Sequence, residues 1–175
     1  MRKIKIKTKE DNLRRNVAII FLILLTFSTV GYSIVNSFSN SSKTSNEGFT
    51  REGNYWTLEF SNNKYYFTNL PNQLENITIE GNFSLNNYYS KPLYFTEENQ
   101  GAIEILNNLQ GYIQRYQRAC IENCEGDFPI KNCSNNVIIF QEGENSVKKV
   151  NNCVYLSGDP VKTADKFLYE VLKIK

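Results

Sequence analysis

One segment constrains this chain more than any other. Residues 17–35, VAIIFLILLTFSTVGYSIV, carry no charge and no proline over 19 positions. At about 1.5 Å per residue a helix of this length extends roughly 28 Å, close to the hydrocarbon thickness of a bilayer. The segment therefore predicts a transmembrane signal anchor. A cleaved signal peptide, with a weak processing site at residues 35–37, and a buried core helix are the alternatives.

The residues before this segment predict its orientation. The tail, residues 1–16, contains seven lysines or arginines and two acidic residues. Basic residues beside a first apolar helix stay in the cytoplasm, so we expect a single-pass cell-membrane protein with most of the chain extracytoplasmic. The tail carries +5 and the whole chain +2, which leaves −3 for the remainder. A weakly acidic outer part gives no electrostatic basis for binding nucleic acid.

The outer part divides into a linker and a domain. Residues 36–50, NSFSNSSKTSNEGFT, are rich in serine and asparagine and poor in aliphatic residues, which is typical of a flexible stalk. Residues 51–175 then have the length of one ordinary domain. We expect this stretch to be the exported domain.

Periodicity within the domain predicts its fold class. Alternating apolar residues indicate strands at 55–60, 64–68, 76–80 and 92–96, the first with Trp56, Leu58 and Phe60 on its apolar face. Steps of four and three between apolar residues then indicate one helix, 97–120, whose last buried position is Cys120.

The remaining elements complete an α+β domain. Residues 136–140 and 152–158 are predicted to form antiparallel strands around a turn at 142–145. A final helix, 159–174, has Asp159 as its N-cap and Pro160 at its first position. The predicted order β-β-β-β-α-β-β-α gives a mixed sheet, with a right-handed crossover from 92–96 through the first helix to 136–140.

The composition excludes several chemistries. The chain has no histidine, so Ser-His-Asp and Cys-His catalysis are absent, as is any zinc site that needs histidine. It contains no P-loop and no Gly-x-Gly-x-x-Gly motif. Spacing selects no catalytic pair among five carboxylates, which we assign to solvent or to helix caps: Glu97, Glu98, Asp127, Asp159 and Asp165. We expect no enzyme, no metal and no cofactor.

Four cysteines are spaced C-x3-C-x8-C-x19-C, at positions 120, 124, 133 and 153. Without a C-x2-C knuckle, and in an exported domain, they favour two structural disulfides over a zinc site. The antiparallel hairpin places Cys133 beside Cys153. Cys120 and Cys124 are one turn apart at a helix end, about 6 Å between Cα atoms. This pairing is favoured, and the two other pairings remain open.

Two surface features are further candidates. Four N-x-Ser/Thr sequons, at Asn40, Asn76, Asn82 and Asn132, are possible glycosylation sites if they face outward. The hairpin around residues 55–66 is rich in aromatic residues, which either contact a partner or face the core.

The motifs ACIENCEGDFPIKNC, NCVYLSGD, LENITIEG and KPLYFT resemble those of archaeal single-pass membrane-anchored proteins of uncharacterised function. The resemblance covers residues 55–175 and implies a small cysteine-containing outer domain. Type IV pilins also join an apolar helix to an outer α+β domain. This chain departs from them, because Asn16 precedes the apolar run, no glutamate begins it, and the stalk follows it.

These observations predict a non-enzymatic binding or assembly module at the cell surface, with a protein partner or a second copy of the chain as the expected contact. An exported thiol-disulfide oxidoreductase that uses the C-x3-C pair is the first alternative. A pilin-like subunit is the second.

Overall fold

The computed structural model describes residues 48–122, 124 and 126–174. The predicted tail, the predicted transmembrane segment and most of the stalk lie outside these residues. No helix of the described part is long and apolar enough to cross a membrane. The chain divides after Ser45, and every described residue belongs to the second unit, residues 46–175.

The described residues form an α+β domain with two sheets, one of them mixed, and two α-helices. The strands are β1 Phe49–Glu52, β2 Tyr55–Phe60, β3 Asn63–Phe67, β4 Thr78–Glu80, β5 Pro92–Phe95, β6 Arg115–Arg118, β7 Asn136–Gln141, β8 Ser146–Val150 and β9 Cys153–Ser157. The helices are α1 Gln100–Leu109 and α2 Pro160–Leu172, and two short 3-10 helices lie at Pro71–Leu74 and Leu85–Asn87.

The smaller sheet is an antiparallel meander, β1-β2-β3. Its first strand begins at Phe49, so the last two residues of the predicted stalk belong to the domain. The ring of Phe49 contacts the rings of Phe67 and Tyr169 edge to face, each at 6.1 Å between centroids. The rings of Phe67 and Tyr169 stack on each other at 4.3 Å. This aromatic contact packs the small sheet against α2. Of the apolar face predicted for β2, Leu58 packs on the core but Phe60 is half exposed.

The larger sheet has the order β4-β8-β9-β7-β5-β6. The last four strands of this order are parallel to one another, and β8 is antiparallel to β9. Ile138 and Phe140 of β7 join the main core, while Val137 faces a smaller apolar cluster on the opposite side of the sheet. Burial on both faces explains why β7 is an almost continuous apolar run.

The predicted antiparallel pairing of 136–140 with 152–158 is wrong. An additional strand, β8, lies between these segments in the chain and pairs antiparallel with β9, so β7 and β9 are parallel. A tight turn at Asn151, which has φ of 55°, joins β8 to β9. The sequence SVKKV conceals β8, because its two lysines leave little apolar alternation to detect.

The predicted helix 97–120 is also wrong at both ends. Helix α1 begins at Gln100, where Asn99 accepts a hydrogen bond from the Ala102 N–H, and it ends at Leu109. Gly111 follows closely, and glycine inside a helix costs about 1 kcal/mol relative to alanine. The chain instead turns into β6, which pairs parallel with β5. Helix α1 therefore connects β5 to β6 instead of crossing to β7.

The C-terminal helix agrees closely with its prediction. Asp159 accepts hydrogen bonds from the N–H groups of Val161 and Lys162, and Pro160 is the first helical residue. Helices α1 and α2 pack together over one face of the larger sheet, and their apolar residues form most of the main core with Leu93 and Phe95 of β5.

Candidate binding site: a groove beside edge strand β6

A groove of about 350 Å³ lies between α1 and the edge of the larger sheet. Its walls include Phe95, Glu98, Ile103, Leu106, Tyr116 and Arg118, and we call it the β6 groove. Ile103 is 47% exposed and Tyr116 is 54% exposed, although both are large and apolar in most of their surface. Solvent-accessible aromatic and aliphatic side chains in a concave site are typical of a contact surface.

The alternation of β6 determines which of its side chains line the groove. Tyr116 is in register with Leu93, and Arg118 with Phe95, which both face the helices. Arg115 lies on the opposite face, where its guanidinium donates to the Tyr94 hydroxyl at 3.4 Å. The two faces of this edge therefore each carry one arginine.

The main chain of β6 has one paired side and one open side. The Ala119 N–H donates to the Phe95 carbonyl at 2.9 Å, toward β5, whereas the Cys120 N–H donates to the Pro129 carbonyl at 3.0 Å, away from it. Successive residues of a strand alternate in this way. Tyr116 and Arg118 therefore direct their N–H and C=O groups outward, and β6 is the last strand of the sheet.

The charge along this edge is mostly positive. The Arg118 guanidinium lies 4.3 Å from the centre of the Phe128 ring. The ion pairs found in the described part of the chain join Lys64 to Glu52 and Lys148 to Glu80, and neither involves β6. Glu98 is the acidic residue of the groove wall.

The cysteines form two disulfides, Cys120–Cys124 and Cys133–Cys153. Their Cα separations are 6.0 and 4.9 Å. This is the favoured pairing, but its geometric basis is different. Cys120 follows a strand instead of ending a helix, and a parallel strand pair replaces the predicted hairpin.

Hydrogen bonds at the start of β7 and β9 explain the second disulfide. The Asn152 N–H donates to the Cys133 carbonyl at 3.1 Å, and the Val137 N–H donates to the Asn152 carbonyl at 3.2 Å. Cys153 is fully buried in the smaller apolar cluster, and Cys133 packs against it. The Cys133–Cys153 disulfide therefore fixes the segment around Cys133 against the face of the larger sheet that carries the smaller apolar cluster.

Two buried carboxylates form a polar network that spacing in the sequence did not reveal. Asp165 of α2 is fully buried, and Glu104 of α1 is 4% exposed. Asp165 Oδ2 accepts from the Asn69 main-chain N–H at 2.7 Å and from its side-chain amide at 2.9 Å. Glu104 Oε1 accepts from the Thr68 N–H at 2.7 Å. The assignment of Asp165 to solvent or to a cap is thus wrong.

The network fixes the small sheet to the helices. Asn108 of α1 accepts from the Tyr66 N–H at 2.8 Å and donates to the Tyr66 carbonyl at 2.6 Å, so one side chain pairs the free edge of β3. The Tyr169 hydroxyl donates to the Asn69 carbonyl at 2.8 Å. These side chains take the place of a further strand, because an unpaired buried main chain would be costly.

Burial and the nearby Glu104 carboxylate raise the pKa of Asp165 to about 8. Asp165 Oδ1 accepts no hydrogen bond from any group of the described residues, and the Glu104 carboxylate lies close enough to act on its charge. Asp165 therefore keeps its proton at neutral pH, because its charged form would be desolvated and would meet the Glu104 carboxylate. Burial also raises the pKa of the Tyr169 hydroxyl, with Asp165 contributing.

The remaining predicted candidates lie elsewhere. Asn76, Asn82 and Asn132 are exposed, and Asn40 lies outside the described residues. Of the aromatic residues, Tyr65 is buried and bonds the Tyr112 hydroxyl at 2.5 Å.

Part of the predicted aromatic surface remains accessible on the small sheet. Tyr55 and Tyr66 line a hollow of about 290 Å³ together with Asn107. Unlike this hollow, the β6 groove combines exposed apolar residues with an open sheet edge, so we take it as the candidate site.

The chain was compared with protein-family models, with curated proteins and with solved structures, and none of the three comparisons found a match.

Proposed function

We propose that this protein is a non-enzymatic binding or assembly module that residues 17–35 anchor at the outer surface of the cell membrane. The observation that carries the binding role is the β6 groove, where Ile103 and Tyr116 are exposed beside a strand edge that no described strand pairs. Residues that serve only the core would be expected on the buried side of α1 and β6.

The disulfides support the extracytoplasmic location, because such bonds persist in oxidising compartments. A C-terminal epitope tag tests this part of the proposal. Impermeant antibody should label the tag on intact cells, and protease added outside should remove it. A tag that is reached only after lysis would place the domain in the cytoplasm.

Photo-crosslinking tests the groove. The photoreactive residue p-benzoylphenylalanine replaces Tyr116 in one full-length variant and Tyr89 in the matched control, since Tyr89 is also exposed, at 60%. We expect a discrete adduct from position 116 and none from position 89. The substitution Ile103→Glu, which puts a carboxylate into the groove, should abolish the adduct. Equal adducts from both positions, or none, would refute the groove as the site.

A second candidate function rests on a different observation. In the first disulfide Cys124 is exposed and Cys120 is buried, as in redox pairs with one accessible sulfur. The thiolate of a substrate dithiol would attack Cys124 Sγ, and Cys120 would leave as a thiolate. The second substrate thiolate would then displace Cys124 Sγ. The substrate becomes a disulfide, and its two electrons reduce the cysteine pair.

Stoichiometric reaction with a synthetic dithiol peptide tests this candidate at neutral pH. The oxidoreductase would form one peptide disulfide per protein, and the double variant Cys120→Ser, Cys124→Ser would form none. Unchanged peptide in the presence of the wild-type protein would eliminate the redox function and leave the binding role untouched.

A further inference from the structure

The open edge of β6 offers a defined set of main-chain hydrogen-bonding groups. Tyr116 and Arg118 point outward, by the alternation established at Ala119 and Cys120. Each supplies one N–H and one C=O. An extended segment placed beside them would gain a ladder of hydrogen bonds, which is how added strands obtain much of their affinity.

The protein's own chain already uses the next position of this edge. Ile130 forms a parallel bridge with Cys120. The Cys120 N–H donates to the Pro129 carbonyl at 3.0 Å, and the Lys131 N–H donates to the Cys120 carbonyl at 2.7 Å. At Cys120, two residues beyond Arg118, the same edge therefore already pairs with an extended segment, residues 129–131. The four residues of β6 itself have no partner on that side among the residues that the structure describes.

Side chains of an added strand would alternate between the two faces of the sheet. On the helix side they would enter the β6 groove, whose exposed Ile103 and Tyr116 suit an apolar residue. On the opposite side they would meet the exposed side chains of Arg115 and Gln117. The edge therefore favours a ligand that has an extended backbone and whose side chains alternate between an apolar face and a polar face.

The charge of β6 decides whether the added strand comes from another protein or from a second copy of this chain. Two arginines within four residues attract a segment that carries carboxylates. A second copy of β6, paired antiparallel about a two-fold axis, would bring a second Arg115 and a second Arg118 to the same strand pair, so that each face would carry two arginines. Like charges close together on one face of a strand pair are destabilising. The same arginines that protect this edge from self-pairing thus favour an acidic partner.

We infer that β6 and its groove bind an extended, acidic segment of another protein as an additional strand. This inference rests on the proposed binding function and specifies its partner. It explains why an exported domain keeps an unpaired strand next to exposed apolar residues, with cations on both faces.

Fluorescence anisotropy tests the inference with the full-length chain in detergent micelles. The probe is a labelled eight-residue peptide of alternating glutamate and valine. Two control peptides carry lysine for glutamate, or N-methyl groups on alternate amides. We expect saturable binding of the acidic peptide, at least tenfold weaker binding of each control, and weaker binding as salt rises.

Protein variants locate the peptide. Arg118→Glu should weaken binding at least tenfold, whereas Lys148→Glu, four strands away on β8, should leave it unchanged. Tyr116→Pro removes one outward N–H without removing a bond to β5, and it should abolish binding. Circular dichroism checks that each variant folds, and the peptide controls do not depend on the variants.

The outcomes separate this inference from the proposed function. Equal affinity for all three peptides would overturn the added strand. Absence of peptide binding with a persistent adduct at position 116 would also overturn it, while the groove would remain a site for a folded surface. A dimer of the purified chain that Tyr116→Pro dissociates would identify a second copy as the occupant and contradict the inference.

Discussion

Replacement of Asp165 by asparagine is expected to remove a large part of the pH dependence of this domain's stability. Asp165 and Glu104 are buried together between the two helices, with no cation among their hydrogen-bonding partners in the described residues. An amide at position 165 still accepts from Asn69 through its oxygen. Its NH₂ group stays uncharged at every pH, whereas the carboxyl that it replaces is uncharged only below the raised pKa.

The size of the effect follows from the pKa of Asp165, which burial and Glu104 raise from 3.8 to about 8. Between these values the native state keeps a proton that the unfolded chain has released, so the free energy of unfolding falls as pH rises. Each unit of pKa difference corresponds to about 1.4 kcal/mol, which gives an upper limit of about 6 kcal/mol between pH 4 and pH 8.

Urea denaturation at pH 5, 6, 7 and 8 measures this difference, with the fluorescence of Trp56, the single tryptophan, as the signal. The stability of Asp165→Asn relative to wild type should increase with pH, by up to about 1.4 kcal/mol per unit. Asp127→Asn, at an exposed carboxylate, is the matched control and should follow the wild type. A difference between Asp165→Asn and wild type that is constant within about 0.3 kcal/mol over this range would refute the raised pKa of Asp165.

Three further predictions concern stability. Asn108→Ala should lower the free energy of unfolding, measured by urea denaturation, by about 2–3 kcal/mol, because it leaves the buried edge of β3 unpaired. Asn107→Ala, at the exposed neighbouring position, should change little, and similar losses from both variants would contradict the edge pairing. Gly101→Ala brings a methyl group against the Pro160 carbonyl and should cost about 1–3 kcal/mol, while Gly111→Ala meets open space and should be neutral or stabilising. Loss of the Cys133–Cys153 disulfide, which spans 20 residues, should cost about 3 kcal/mol, and loss of Cys120–Cys124, which spans four, about 2 kcal/mol, because the longer loop loses more entropy in the unfolded chain when it is closed. The reverse order of thermal midpoints would contradict this reasoning.

Period-two alternation and capping residues allowed much of the fold to be predicted. Strands β2, β3, β4, β5, β7 and β9 and helix α2 lie within two residues of their predicted bounds. These elements either bury one face against the core or begin with a strong cap such as Asp159, so local sequence determines them. The α+β class follows from the same elements.

The errors arose where tertiary pairing decided the outcome. The apolar spacing that continues past Leu109 fits a helix, but β6 forms there because β5 offers it a parallel partner. Strand β8 carries adjacent lysines and is specified by its pairing with β9. Residues 1–47 lie outside the described part of the chain, so the tail, the anchor and most of the stalk remain predictions.

The candidate site was less predictable than the fold. The groove depends on an edge strand that periodicity assigned to a helix. The buried pair was missed because Glu104 and Asp165 lie on different helices, 61 positions apart. One signal was present: Asp165 follows Ala164 and precedes Leu168 by three positions, which places it on the apolar face of α2. A carboxylate at such a position requires a buried partner.

Amide hydrogen exchange along β6 tests the central claim most directly. In the free protein the outward N–H groups of Tyr116 and Arg118 should exchange rapidly, while that of Gln117, which faces β5, should be protected. Saturation with the glutamate–valine peptide should slow exchange at the two outward positions and leave Gln117 unchanged. Protection of Tyr116 and Arg118 before the peptide is added, or none after saturation, would contradict the account of β6 as an open edge that takes an additional strand.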